Sequence, residues 1–119
     1  MMKAQSEFAD DFTNLRVWQS ARGLAKQVFE HFQSHQNLDF SRQILRAATS
    51  VMNNIAEGSD RRTAKDFAHF LDISKASAAE VRSMLYLAED LNYIPSQDAN
   101  RLRDEYLALT SGIGALAAS

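Results

Sequence analysis

The sequence predicts an all-α protein, an up-down-up-down antiparallel four-helix bundle, and three observations carry that prediction. Apolar residues recur at three- and four-residue steps in four separate stretches, the spacing that puts side chains on one face of a helix. The stretches are divided by short connections holding helix-starting and helix-stopping residues. Period-two alternation and hairpin turn signals are missing from the sequence. Helices joined by short connections pack as antiparallel neighbours.

Residues 1–13 read as a tail, partly docked through Phe8 and Phe12, and residues 14–119 as a single bundle domain. The first helix spans residues 14–35. Trp18, Ala21, Ala25, Val28 and Phe32 form its stripe, which Val17, Leu24 and Phe29 widen. Asn14 suits its N-cap, because a short polar side chain accepts from the free backbone donors. The second helix spans 40–57, with Ile44, Ala48, Val51 and Ile55 inward. Gly58 fits the position just beyond a helix end, where a left-handed backbone is needed. Thr63, with Asp66 three residues on, resembles a capping box opening a third helix over 64–92.

Phe67, Leu71, Ser74, Ala78, Val81, Leu85 and Ala88 are the inner stripe of the third helix. Beside them lie Phe70, Ile73, Met84, Leu87 and Leu91. Together they cover an apolar arc of roughly 200°, against roughly 100° for an ordinary surface helix. Pro95 breaks the chain, having no amide donor and disfavouring helix before it. Ser96 opens the fourth helix, whose seam is Ala99, Leu102, Tyr106, Leu109, Ile113 and Leu116.

Composition fits one domain with a real core: 119 residues, 45% hydrophobic, one Pro and four Gly. With no Cys, there is no disulfide, thiolate metal site or thiol nucleophile. The opening MMKAQSEFADDF has three acidic residues and no long apolar run, so it does not read as a secretory signal. No apolar stretch approaches the roughly 18 residues of a membrane span. The expected location is the cytoplasm. A net charge of −2 lacks the basic excess usual in a dedicated nucleic-acid binder.

Three segments carry a family resemblance. Phe12, Leu15, Val17, Trp18, Gln19 and Ala21 match an F..L.VWQ.A opening. Residues 43–58, QILRAATSVMNNIAEG, match Q.RRAA.S...NIAEG, with Leu45 for the first Arg and Met52 where Pro is frequent. Residues 67–80 match F..FL.IA.GS..E, with Ser74 and Ala76 departing from it. The chain therefore resembles the four-helix-bundle family of bacterial 23S rRNA intervening sequence proteins. The resemblance implies a small cytosolic bundle assembling as a ring, notably a pentamer, with no assigned biochemical role. A strongly basic branch of the family serves retroelement reverse transcriptases, and the charge of this chain departs from it.

On the second helix a polar line, Gln43, Arg46, Ser50, Asn53 and Glu57, runs beside the apolar one. Residue numbering across the turns sets Arg46 near Glu80 and near Glu30. A buried Arg needs a carboxylate partner, so Arg46, Asn53, Asn54, Glu57 and Glu80 form the candidate polar network. Its bland reading is a structural ion pair with capping hydrogen bonds; its functional reading is a polar pocket at a subunit interface, binding a small molecule. Arg42, Arg61, Arg62 and Lys65 are the candidate nucleic-acid contacts, with Asp60 and Asp66 interleaved. His31 and His35 stand one turn apart, but two histidines do not complete a metal's first shell, and no metal or cofactor is expected. There is no nucleophile elbow, phosphate-cradling Gly loop or supported Ser/His/Asp set, so the chain is not read as an enzyme.

The wide arc of the third helix is the best sequence evidence about behaviour. In a lone bundle each helix keeps one face in water, and contiguous exposed apolar surface marks an interface. Phe70, Ile73, Met84, Leu87 and Leu91 are the candidate oligomer interface, with Phe8 or Phe12 added. The leading expectation is a non-enzymatic self-assembling protein whose partner is itself. An RNA- or DNA-binding accessory is the first alternative, and a small-molecule binder the second.

Overall fold

The computed structural model describes residues 11–119. A 3-10 turn, Phe12–Asn14, leads into four helices: α1 (Arg16–Phe32), α2 (Leu38–Ser59), α3 (Ala64–Asp90) and α4 (Ser96–Ala118). The described residues contain no strand. Each helix touches two others, giving the cyclic order α1, α2, α3, α4 and back to α1.

The predicted stripes form one core. Trp18, Ala21, Ala25, Val28 and Phe32 meet Ile44, Ala48, Val51 and Ile55 from α2. Leu71, Ala78, Val81, Leu85 and Ala88 of α3 and Leu102, Tyr106, Leu109 and Ile113 of α4 complete it. Burying a side chain of this size contributes about 1.5–3 kcal/mol, which is why the stripes dictate how the helices face. Tyr106 is fully buried and its hydroxyl has no partner among the described residues. Burial pushes its pKa well above the usual tyrosine range.

The helix ends differ in detail from the sequence reading. Leu15, with no side-chain cap bond, holds the N-cap of α1, and Asn14 belongs to the preceding 3-10 turn. That turn is capped by Asp11, whose carboxylate accepts from the Thr13 amide at 3.1 Å. Thr13 returns its carbonyl to Gln19 Nε2 at 2.8 Å, and Phe12 sets its ring edge-on to Trp18, centroids 5.1 Å apart. The Phe12 part of the tail is thus tied down; Phe8 lies outside the described residues. Thr63 caps α3 as expected, its hydroxyl accepting from the Asp66 amide at 3.1 Å.

Gly58 has a different job from the one expected. It lies inside α2, buried, with no positive φ. A Cβ built there would stand 2.8 Å from Phe70 Cβ and 2.9 Å from Phe67 Cδ1. It is glycine because α2 and α3 approach too closely for a side chain. The left-handed position among the described residues is instead Asn92, at φ 61°. There the Tyr93 amide donates to Ala88 O at 2.8 Å and the Asn92 amide to Glu89 O at 3.0 Å, the Schellman arrangement that ends a helix.

The α2–α3 seam is sealed by small polar groups. Ser74, fully buried, donates to Val51 O at 2.7 Å, and Ser50 and Ser77 share a 2.8 Å hydrogen bond. As α2 numbers rise through 50, 51 and 58, their α3 partners fall through 77, 74 and 70, so these two helices run in opposite directions.

At one end of the bundle Asn37 ties two turns together. Its Oδ1 accepts from the Phe40 amide at 3.0 Å, capping α2. Its Nδ2 donates to the Tyr93 hydroxyl at 3.0 Å, and its own amide donates to His35 Nδ1 at 3.0 Å. The His35 and Tyr93 rings lie 4.1 Å apart.

Candidate interaction face

The outer side of α3 presents a continuous line. Ile73, Ser77, Glu80, Met84, Leu87 and Leu91 succeed one another by fours and threes, the spacing of one helix face. Ile73 is 37% exposed, Leu87 47% and Leu91 46%. Met84 is half-buried against the core, and Phe70 half-buried beneath Arg61, whose guanidinium carbon sits 4.6 Å from the ring centroid. The five apolar residues singled out on this helix thus comprise three in water and two partly covered. Leaving three large aliphatic side chains exposed on one line is not needed for a soluble helix.

The polar line of α2 flanks this face but is not the buried network expected. Arg46 and Glu80 are both exposed, and neither belongs to an ion pair among the described residues; nor does Glu30. The expectation that Arg46 is buried and paired with Glu80 or Glu30 is corrected. Arg46 lies on the water-facing side of α2, where hydration leaves a guanidinium no need of a carboxylate. Asn54 Nδ2 donates to Ser50 O and Ser50 Oγ, each at 2.9 Å. Glu57 pairs with Arg61 one turn on, at 2.7 Å. Asn53 is exposed and borders a shallow hollow of about 440 Å³ with Phe12, Ala56, Glu57 and Asp60. The five residues therefore divide into an Asn54–Ser50–Ser77 chain, a Glu57–Arg61 pair, and groups facing water.

The buried arginine is elsewhere. Arg103, on α4, is 7% exposed. Its Nη1 donates to Glu89 Oε1 at 2.9 Å, its Nη2 to Asn100 Oδ1, and its guanidinium carbon lies 4.0 Å from the Tyr86 ring centroid. Hydrogen bonds from Ser96 and Arg103 hold the Glu89 carboxyl below its usual range. This clasp joins α3 to α4 across the Pro95 turn. Antiparallel numbering across that turn sets Arg103 opposite residues 83 to 85 rather than Glu89, so the clasp runs obliquely toward the turn and numbering alone does not find it.

The four basic residues do not gather. Arg42, Arg61, Arg62 and Lys65 are all exposed, but Arg42 sits near the start of α2 and Arg61 just past its end. At about 1.5 Å per residue that is roughly 28 Å, and Arg61 is already engaged by Glu57 and Phe70. His31 and His35 are half-buried rather than solvent-facing, and His35 serves the turn through Asn37. Among the described residues no three His, Asp or Glu side chains gather as a metal site would require. Among the described residues no helix is long and apolar enough to cross a membrane.

Four helices, one core and an α3 side left apolar in water define a helical-bundle protein. The model of the 23S rRNA-intervening sequence protein family matches residues 13–115, and the chain belongs to that family. A crystal structure from Bacteroides thetaiotaomicron VPI-5482, described as a protein of unknown function from the S23 ribosomal protein family, shares the fold. It is similar over 87% of this chain and 99% of its own, with a TM-score of 0.81 and 20% identity. No curated protein matches.

Proposed function

We propose that the chain is a non-enzymatic, self-associating bundle protein of the cytoplasm, and that the outer line of α3 is a subunit contact. The observation that carries this reading is the exposure of Ile73, Leu87 and Leu91 on one face. Burying such a line against another copy recovers the hydrophobic free energy forgone in the monomer, about 25 cal/mol per Å². The family resemblance supports a closed ring of five. A scaffold or assembly role follows from that architecture, with Arg46, Asn53 and Glu80 as polar surroundings of the contact.

Light scattering on a sizing column tests the reading. The parent chain is expected to run as an oligomer whose mass is the same at low and high salt, because an apolar contact is not screened. Leu87→Glu is expected to yield monomers with undiminished helicity. An unchanged mass in that variant removes α3 from the contact.

A further inference from the structure

On the α1–α4 side, the bundle has a groove of about 400 Å³. Val17, Ser20 and Leu24 form one wall, and Ala108, Leu109 and Gly112 the other. Its ends are fixed. A Cβ at Gly112 would lie 3.3 Å from Val17 Cγ1 at one end. At the other, Arg101 Nη1 donates to both Gln27 Oε1, at 2.6 Å, and Glu105 Oε2, at 2.9 Å. Between these ties the small side chains of Ser20, Ala108 and Gly112 leave an apolar trough open to water.

Helices associate by laying a ridge of side chains into a groove, and this chain carries both parts on different sides. We infer that the exposed α3 ridge of one copy seats in the α1–α4 groove of the next. The inference rests on the self-association proposed above and adds its second surface. Charges suit the match. The ridge side offers one cation and one anion, Arg46 and Glu80; the groove side offers Arg16, which lines it, and Asp104, one turn from Ala108. None of the four is in an ion pair among the described residues. Because ridge and groove lie on different sides, one copy uses both at once. The contact is therefore head-to-tail, the kind that builds a ring where the rotation between successive copies closes, as in the ring proposed above.

Head-to-tail contacts obey a mixing rule that face-to-face contacts do not. Ala108→Glu blocks the groove and leaves the ridge; Leu87→Glu blocks the ridge and leaves the groove. Each alone is expected to sediment as a monomer with parental helicity. Mixed in equal amounts, they are expected to form a species of twice the monomer mass and no larger. One intact ridge then meets one intact groove, and both remaining surfaces are dead. Ser20→Glu, on the other wall, is expected to behave as Ala108→Glu does. If both groove variants keep the parental mass while Leu87→Glu is monomeric, the ridge meets a surface other than the groove, and the groove assignment falls with self-association intact. A mixture that stays monomeric also overturns it. A monomeric parent chain overturns the underlying reading itself.

Discussion

The α2–α3 seam and the α1–α4 seam join similar helices in opposite ways. In the first, Gly58, Ser74 and the Ser50–Ser77 pair let two backbones close until no side chain fits between them at Gly58. In the second, equally small residues, Ser20, Ala108 and Gly112, leave a trough of about 400 Å³. Small residues by themselves do not decide whether helices meet. What differs is the bonding: Ser74 reaches a backbone carbonyl across the first seam, whereas the tie across the second is a long exposed side chain, Arg101, reaching Gln27 at one end of the trough.

Alanine at three glycines breaks or sharpens this contrast. Gly58→Ala drives a Cβ into Phe70 and Phe67, and is expected to lower stability by about 1–3 kcal/mol, the usual cost of overpacking. Gly112→Ala meets only Val17, at 3.3 Å, so gained helix propensity and crowding oppose each other and the net change is small. Gly23→Ala meets nothing within 4 Å, and is expected to stabilise by roughly 0.5–1 kcal/mol. Urea unfolding of the three variants settles the order. If Gly58→Ala is no worse than Gly112→Ala, the two seams do not differ as described.

A second comparison sets a charge in a seam against a charge on a face. Arg103→Gln removes the partner of Glu89 and the cation over Tyr86, and is expected to lower Tm clearly. Arg46→Gln is expected to stay within about 0.5 kcal/mol of the parent, like other exposed substitutions. Equal losses in thermal melts would mean that Arg46 has a partner.

The smallest expected effect is one of pH. Glu89 has its pKa lowered in the folded chain, so its carboxylate form favours folding. That contribution is complete above the unfolded value, near 4.5, and fades as pH falls through the lower folded value. The stability gap between the parent and Glu89→Gln is therefore expected to narrow on acidification below that pH. A gap that does not change between pH 7 and pH 3 would contradict the bonding to Ser96 and Arg103.

These residues also show where sequence reasoning reaches and stops. Periodicity located all four helices, and the stripe residues that it placed inside are buried apart from Val17, Phe29, Phe67 and Leu116, which are half-buried. It also marked Ile73, Leu87 and Leu91 as surplus to the core, and they are exposed. Side-chain direction is harder. Arg46 falls beside Glu80 by number, yet one step around the helix separates a buried position from a wet one. Gly58 stands at a place where turn chemistry and close packing both call for glycine, and only coordinates tell them apart. Arg103 went unnoticed because it sits between Leu102 and Tyr106, where a stripe reading sees only the apolar neighbours.

The ties made by Asn37 have a consequence for cooperativity. The α1–α2 turn and the α3–α4 turn are 56 residues apart at the Asn37–Tyr93 bond, and that bond shares its residue with the cap of α2. Opening the second hairpin removes a partner from the residue that caps α2 in the first. Loss of order at either turn is therefore expected to weaken the other, coupling the two pairs of helices at this end of the bundle.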